Sequence, residues 1–312
     1  MTDPSTYFLT EERLRALFDE VVRDFVFGDY QPQNDPVLVL LGGQPAAGKS
    51  SAMATTAERH QGTVVPLTGD ELRPLHPSYD ELLTKDAQTR ETATAQASGA
   101  WVRMSIEHTL QNGYGLLLEG VFRDPAMTIS TAERFAAAGR KVEVVALAVR
   151  EERSRLDALQ RFLEGGRWTP PALQDLAYRM VPETVTAAEQ SPAVHRIAIT
   201  NRSGADLYSM ERGPDGRWPG EPAAAGALDD ERRLPLPPGE ASAWLAKRQA
   251  VLIHMAARGE INEESRPVLR RLAQDAGAVA AMVSPEPRRP EQIAYQAEAP
   301  SPLVADGRSG HS

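Results

Sequence analysis

Residues 37–50, VLVLLGGQPAAGKS, decide the fold that the sequence predicts. Val37 to Leu41 form an unbroken apolar run, which is typical of a strand buried on both faces of a parallel sheet. Gly43 to Ser50 match the pattern G-x-x-x-x-G-K-[ST] in full. A helical pattern follows from about residue 48 to residue 59. The sequence therefore predicts a strand, a phosphate-binding loop and a helix in direct succession.

Each fixed position of this loop has a chemical reason. Glycines let successive backbone N–H groups point inward as an anion nest, and the following helix directs its positive end at the same phosphates. Lys49 is suited to bridge the outer phosphates, and the hydroxyl of Ser50 to complete a magnesium shell. We therefore predict that ATP and Mg²⁺ bind at Gly43, Gln44, Pro45, Ala46, Ala47, Gly48, Lys49, Ser50 and Ser51.

The use of basic residues singles out the loop lysine. Only four of the 34 basic residues are lysines, namely Lys49, Lys85, Lys141 and Lys247. A flexible ammonium suits the phosphate loop better than the rigid fork of arginine, which explains a lysine at position 49. Lys85 and Lys247 fit solvated helix faces.

Strands and helices alternate through the first two thirds of the chain. After the first strand, further strands are predicted at 63–68, 115–119 and 142–149, with a late hairpin at 195–200 and 206–210. Helices are predicted at about 10–27, 48–59, 86–111, 126–138, 151–163 and after Pro171. This alternation favours right-handed crossovers. The predicted fold class is α/β, a P-loop NTPase-type parallel sheet with helices on both faces, plus C-terminal helices and a mobile tail.

Four segments are predicted along the chain. Residues 1–212 form a P-loop kinase domain with an N-terminal helix, and the Pro-, Gly- and Ala-rich residues 213–238 form a linker or long loop. Residues 239–283 form a C-terminal helical segment, either packed on the kinase core or acting as a partner-binding arm. Residues 284–312 hold several prolines and few large apolar residues, so a disordered tail is expected there.

Two acidic residues end predicted strands beside the phosphate loop. Asp70 follows the second strand and Glu119 ends the third, at the sheet edge that faces the ligand in open α/β folds. Asp70 can accept a proton from a substrate hydroxyl or, together with Ser50, hold the metal. In isolation, Asp70 could equally cap a helix, and Glu119 could end a strand in water.

Arginines crowd the region after the fourth strand: Arg153, Arg155, Arg161 and Arg167. Most arginines on a helix surface are solvated. A kinase nevertheless needs mobile positive charge over the transferring phosphoryl group. Arg161 and Arg167 lie late on the predicted helix and in the following Gly-rich loop, which favours them for that role.

Composition restricts the class of protein. The net charge of −9 argues against general binding of nucleic acid, and the absence of cysteine excludes disulfides and thiolate metal sites. No apolar run approaches the length that spans a membrane, and the first residues lack the features of a signal peptide. We therefore expect a cytoplasmic protein without nucleic-acid or membrane partners.

Five stretches together resemble the zeta-toxin family, P-loop kinases of bacterial toxin–antitoxin systems. They are GQPAAGKS at 43–50, GDELRPLHPSYDEL at 69–82, NGYGLLLEGVFRDP at 112–125, LQRFLEGGRWTP at 159–170 and NRSGADLY at 201–208. The second and third, at this spacing, are more specific than the loop. The resemblance implies phosphorylation of the 3′-hydroxyl of UDP-N-acetylglucosamine, and an antitoxin protein as a partner.

The resemblance also implies roles for individual residues. Lys49 and Ser50 would bind phosphate and metal, Asp70 would be the general base, and Arg161 and Arg167 would clamp the ATP phosphates. The sugar-nucleotide substrate would contact Arg73, His76, Glu119 and Arg123. One departure concerns a substrate-binding acid on the helix before the third strand, where this chain has Arg103, with Glu107 one turn later.

Other functions stay open at this point. The kinase could act on another acceptor, such as an antibiotic hydroxyl or a polynucleotide 5′-end, although the acidic net charge disfavours the latter. Alternatively, the protein could be a switch that binds ATP without transferring phosphate. A carboxylate at Asp70 favours the kinase, because a switch does not need one beside an acceptor hydroxyl.

Overall fold

A six-stranded mixed sheet forms the centre of the molecule. The computed structural model describes residues 3–85, 87–120, 122–165 and 167–283. In sheet order the strands run β2-β3-β1-β4-β5-β6, and all neighbours are parallel except β5 and β6. Their bounds are β1 Leu38–Gly42, β2 Val64–Leu67, β3 Gly115–Gly120, β4 Val142–Leu147, β5 Arg196–Thr200 and β6 Asp206–Glu211. The predicted fold class is confirmed, and the late hairpin adds the single antiparallel edge.

Helices connect the strands and cover both faces of the sheet. Their bounds are α1 Glu11–Leu17, α2 Arg23–Phe27, α3 Lys49–Arg59, α4 Gly69–Leu72, α5 Tyr79–Leu82, α6 Ala87–Asn112, α7 Pro125–Ala137, α8 Glu151–Gly165, α9 Pro171–Gln190, α10 Ala224–Arg233, α11 Pro238–Ala257 and α12 Arg266–Val283. A π-helical turn, Phe18–Val22, joins α1 to α2, so the predicted N-terminal helix is continuous but not regular. Among the helices of the described ranges, none is both long and apolar enough to cross a membrane.

The central position of β1 explains its composition. All five of its residues are buried, because β3 and β4 flank the strand and helices cover both faces. On one face Val39 and Leu41 pack with Ala52 and Met53 of α3. On the other, a larger cluster joins the sheet to the N-terminal helices and to α6, α7 and α9. The carboxyl end of β1 therefore delivers the phosphate loop to the middle of one sheet edge.

The segment 213–238, predicted as a linker or long loop, instead contains a helix. In α10, Ala224, Leu228 and Arg232 are buried against α9 and the β5–β6 hairpin. These three positions are four residues apart, so they lie on one face of a short helix, and that face is buried. The flanking prolines and glycines concealed this pattern, and tertiary packing stabilises a helix that local composition does not favour.

The last two helices, α11 and α12, form a hairpin that packs on α8. Leu156 and Leu159 of α8 join Trp244, Met255 and Leu272 of the hairpin in a third apolar cluster. Of the two sequence alternatives, the structure therefore shows packing on the core. The predicted tail, 284–312, lies outside the described residues.

Candidate nucleotide-binding site

The phosphate loop, residues 43–50, has the backbone conformation of an anion nest. Gly48 is the N-terminal cap of α3 and has a left-handed φ of 93°, and Ala46 also has a positive φ of 58°. A Cβ at Gly48 would lie 2.7 Å from Cγ of Arg202. Glycine is thus required at position 48 both by the backbone angle and by the close approach of Arg202.

Gln44 fixes this loop to the rest of the protein. Its side chain is fully buried, and its amide nitrogen donates to the carbonyl oxygen of Val149 at 2.7 Å. Its Oε1 accepts from Nη2 of Arg232 at 3.1 Å. Arg232 also donates to the carbonyl of Tyr178 and lies 4.0 Å over that ring. Helix α10 therefore supports the phosphate loop, a contact that the sequence did not reveal.

Lys49 lies buried at the base of the cleft beside Glu119. Its Nζ is 3.5 Å from Oε1 of Glu119 and donates to the carbonyls of Gly43 and Gln44 at 3.2 and 3.3 Å. Burial lowers the pKa of Lys49, and the charge of Glu119 offsets part of that effect. The strand register explains the pair, because Glu119 of β3 stands beside Leu41 of β1.

Asp70 stands at the start of α4, where the hydroxyl of Thr68 caps its backbone N–H at 3.3 Å. Its two carboxylate oxygens face different arginines. Oδ1 is 3.4 Å from Nε of Arg73, and Oδ2 forms an ion pair with Nη2 of Arg167. Its side chain is 35 % exposed, so a small molecule in the cleft could reach it.

The two predicted lid arginines converge on this end of the cleft. Nη2 of Arg161 donates to the hydroxyl of Thr169 at 3.0 Å, whereas its Nε is buried without a hydrogen-bond partner among the residues that the structure describes. Burial lowers the pKa of Arg161, and the positive charge of Arg167 adds to the shift. The arginines earlier on α8 do not take part: Arg153 pairs with Glu240, and Arg155 with Asp275.

An open cleft of about 710 Å³ holds these groups. That volume suits a nucleotide-sized ligand. Among the described residues, equal numbers of acidic and basic side chains line it: Asp70, Glu71, Glu119, Asp157 and Glu164 against Lys49, Arg161, Arg167, Arg202 and Lys247. Burial raises the pKa of Glu71, and the charges of Glu119 and Asp70 raise it further.

Not every residue predicted for substrate binding reaches the cleft. His76 is only 2 % exposed; its Nε2 lies 3.1 Å from the carbonyl of Tyr7, and its Nδ1 accepts from the N–H of Ser78. Arg73 donates to the carbonyl of Glu91 and the hydroxyl of Thr94. The polar atoms of both side chains are thus bonded to other protein groups. His76 contacts the N-terminal segment at Tyr7, and Arg73 contacts Asp70.

Of the residues predicted to bind the nucleotide, Gly43, Gln44, Pro45, Ala47 and Ser51 lie outside the lining of the cleft, as does the predicted substrate-binding residue Arg123. Arg123 is exposed between β3 and α7, and Ser51 is exposed on α3. Conversely, the sequence reasoning missed Glu71, Asp157, Arg202 and Lys247. Asp157 could have been predicted from the sequence, because it lies four residues before Arg161 and therefore on the same face of the helix. Lys247 had been assigned to a solvated face.

The residues present fit a triphosphate with a metal ion. The Nε of Arg161, which has no partner among the described residues, the ammonium of Lys49 and the backbone N–H groups at the start of α3 are donors that a polyphosphate could satisfy. Ser50 lines the cleft at the start of α3, where its hydroxyl could hold Mg²⁺. In the described ranges, no group of three or more His, Cys, Asp or Glu side chains is arranged to hold a metal.

A mostly parallel sheet with a phosphate loop after one of its central strands, and with acids and arginines lining the same cleft, defines a P-loop protein with a kinase-like fold. The chain belongs to the zeta toxin family, whose profile matches residues 23–212. The matched region runs from the N-terminal helix to the end of the β5–β6 hairpin. Helices α10, α11 and α12 lie beyond it.

Individual relatives agree with this assignment. The chain is 27 % identical over 215 residues to Toxin zeta of Enterococcus hirae, covering 67 % of this chain and 73 % of that protein. It is 28 % identical over 183 residues to Toxin PezT of Streptococcus pneumoniae serotype 4, covering 56 % and 72 %. A solved structure from the PezAT toxin–antitoxin system of Streptococcus pneumoniae superposes with a TM-score of 0.66 at 22 % identity, covering 80 % of this chain and 99 % of that chain. At this identity the superposition shows a shared fold.

Proposed function

We propose that this protein is a kinase that transfers the γ-phosphoryl group of ATP to a hydroxyl of a small, nucleotide-like substrate. The observation that carries the proposal is the meeting of three kinds of group in one cleft. These are a phosphate loop with its lysine, an accessible carboxylate at Asp70, and the arginines Arg161 and Arg167. A switch that only binds ATP would need the first of these but not the second.

The side chains divide the chemistry as follows. Bound Mg²⁺ would neutralise charge on the phosphates and orient them for in-line transfer. Asp70 accepts the proton of the acceptor hydroxyl. The hydroxyl oxygen then forms the new bond to the γ-phosphorus, while the bond between that phosphorus and the β-phosphate oxygen breaks and ADP leaves. Lys49 and Arg161 stabilise the charge that moves to that oxygen. Ser50 is the proposed protein ligand of the metal.

Arg167 must change partner in this scheme. It pairs with Asp70, and the two side chains are both 35 % exposed. The pair occupies Oδ2 of Asp70, one of the two oxygens that could receive the proton of the acceptor hydroxyl. When Arg167 turns to the phosphates, Asp70 keeps only the longer contact with Arg73 and is free to accept a proton.

UDP-N-acetylglucosamine, phosphorylated at its 3′-hydroxyl, is the acceptor we propose, on the strength of family membership. Glu119 and Glu71 line the cleft on the side of Asp70 and are the candidates for contacts with the sugar. At the register where the resemblance predicts a substrate-binding acid on the helix before β3, this chain has Arg103, with Glu107 one turn later. Arg103 is exposed, and Glu107 pairs with Arg134 on the surface.

The test is a kinase assay with the purified full chain, Mg²⁺, ATP and a panel of acceptors. The panel contains UDP-N-acetylglucosamine, other UDP-sugars, aminoglycosides and a 5′-hydroxyl oligonucleotide. We expect ADP formation that depends on UDP-N-acetylglucosamine and a phosphorylated sugar in the mass spectrum. Turnover with a different acceptor alone would keep the kinase and reject the proposed substrate.

The Asp70→Asn variant tests the mechanism. It should bind ATP like the wild type yet lose at least about 10²-fold in turnover, the size of a general-base contribution. Asp80→Asn is the matched control, because Asp80 is an exposed acid on the neighbouring helix α5. Wild-type turnover in Asp70→Asn would remove Asp70 from the mechanism, and ATP binding without turnover on any acceptor would favour the switch.

An antitoxin partner is part of the proposal, since a solved relative comes from a toxin–antitoxin system. If the kinase consumes a cell-wall precursor, induced expression in a bacterial host should arrest growth. Lys49→Ala, which removes the phosphate-loop ammonium, should restore it at equal protein levels. Equal arrest by both proteins would separate any toxicity from phosphoryl transfer.

A further inference from the structure

The C-terminal hairpin, α11 and α12, reaches the nucleotide cleft although it lies beyond the family-matched residues 23–212. Lys247 of α11 lines that cleft together with Gly48, Lys49 and Ser50 of the phosphate loop. Its Nζ lies 2.5 Å from Oδ1 of Asp157. The hairpin therefore contributes a charged group directly to the cavity, in addition to packing against α8.

Two cations share one carboxylate at this point. The second oxygen of Asp157 pairs with Nη1 of Arg202, which follows β5. Asp157 is 11 % exposed, whereas the side chains of Arg202 and Lys247 are 39 % and 36 % exposed and face the cleft. One carboxylate can balance only one of two positive charges. The trio of Asp157, Arg202 and Lys247 thus presents a net positive charge to any ligand in the cavity.

Helices α8 and α3 define the position of the trio along the cleft. Asp157 precedes Arg161 by one turn of α8, a rise of about 5–6 Å. Arg161 lies with Arg167 and Lys49 at the end of the cleft that holds Asp70, where the outer phosphate reacts in the proposed function. The stem of Arg202 lies over Gly48 at the start of α3. The trio therefore lines the same cleft one turn of α8 away from Arg161, beside the start of α3.

Beyond the trio the cleft continues into a groove that the hairpin itself walls. This groove has a volume of about 280 Å³, and Asp157, Arg202 and Lys247 line both it and the main cleft. Trp244 of α11 and Leu236 before it contribute apolar atoms to its wall, beside the charged side chains of Arg153 and Glu240. Apolar walls next to a few polar groups suit a nucleobase.

We propose that the C-terminal hairpin completes the donor-nucleotide pocket, with Lys247 as a nucleotide-positioning residue that pairs with the inner phosphate while the base lies in the groove along α11. This inference rests on the proposed function in that it takes ATP as the donor. It adds that affinity for the nucleotide depends on an element outside the family-matched part of the chain. The alternative is that Lys247 only attaches the hairpin to α8.

The experiment measures binding of Mg·ADP by titration calorimetry to the full chain and to single-residue variants. Lys247→Met should weaken ADP binding about five- to tenfold, the size of one charge-assisted contact in a half-open site. Lys247→Arg, which keeps the charge, should recover most of the affinity. Lys85→Met is the matched control, because it removes a partly exposed lysine from an i,i+4 pair with Glu81, and neither residue lines the cleft.

A second readout separates positioning from attachment. The hairpin is also held by Trp244, whose Nε1 donates to the carbonyl of Glu152 at 3.1 Å, and by the pair between Arg155 and Asp275. Lys247→Met should therefore fold, with a melting temperature close to that of Lys85→Met in the absence of nucleotide. In the kinase assay its KM for ATP should rise by the same factor as the Kd, with kcat within about twofold.

The two proposals fail in different ways. Wild-type protein that binds neither ADP nor ATP would overturn both the proposed function and this inference. Wild-type protein that binds ADP, with Lys247→Met binding it equally well, would overturn the role of Lys247 and leave the kinase intact. A fall in melting temperature with unchanged ADP affinity would assign Lys247 to attachment alone and would likewise overturn the inference.

Discussion

Replacement of Arg232 by methionine tests whether α10 holds the phosphate loop. Arg232 is 6 % exposed, and its guanidinium donates to Oε1 of Gln44 at 3.1 Å and to the carbonyl of Tyr178 at 2.9 Å. Methionine is similar in length but cannot donate. The substitution therefore leaves two buried acceptors unpaired, one of them on the phosphate loop.

The expected loss of stability follows from opposing contributions. Leaving a buried acceptor unpaired costs about 1–3 kcal/mol, so the two together cost about 2–6 kcal/mol. Loss of the contact with the ring of Tyr178 adds about 1 kcal/mol. Removal of the buried charge relieves part of this, because burial already lowers the pKa of Arg232 and its Nε has no hydrogen-bond partner. We expect a net decrease of about 2–3 kcal/mol in the free energy of unfolding.

Urea unfolding gives this quantity, and titration with Mg·ADP gives the effect on the loop. Arg233→Met is a close control, because Arg233 is the next residue of α10, is 72 % exposed, and pairs only with Asp229 and Asp230 on the same helix. Exposed pairs of this kind contribute about 0.5 kcal/mol or less. Arg232→Met should also bind ADP several-fold more weakly than Arg233→Met, since Gln44 loses one of its anchors.

Equal unfolding midpoints for the two variants would refute the stability argument. Equal ADP affinities, with Arg232→Met less stable, would show that the hydrogen bond to Gln44 does not preorganise the loop. In that case the helix contributes to the fold alone.

Two further predictions concern Arg73 and His76. Arg73→Gln should lower kcat about tenfold with little change in ATP affinity, because Arg73 touches Asp70 and is otherwise tied to Glu91 and Thr94; an unchanged kcat would remove its positioning role. Burial lowers the pKa of His76 in the folded protein, so the unfolded chain takes up its proton first as the pH falls below about 6.5. Stability should decrease with falling pH in that range, and urea midpoints of His76→Gln should fall less steeply.

Much of the fold could be predicted because its signals are local. The apolar run of Val37–Leu41, the fixed spacing of Gly43, Gly48 and Lys49, and the alternation of strands with helices are readable along the chain. Strand bounds agree within one or two residues, because a buried parallel strand needs a continuous apolar run. The positions of the acids Asp70 and Glu119 could also be predicted, because residues at the carboxyl ends of parallel strands meet at one edge of the sheet.

Tertiary structure alone decided which side chains share the cleft. His76 and Arg73 are close to Asp70 in sequence. In the structure, however, His76 is buried against Tyr7, and Arg73 contacts the carboxylate of Asp70. Lys247 lies 198 residues after Lys49 and still lines the same cavity. Helix α10, hidden among prolines and glycines, holds the loop through Arg232. The sequence by itself determined the strand, loop and helix that gather phosphate, because those depend on neighbours along the chain. The residues that contact the loop depend on packing between elements that are distant in sequence. The hydrophobic periodicity of each element does not indicate how those elements pack together.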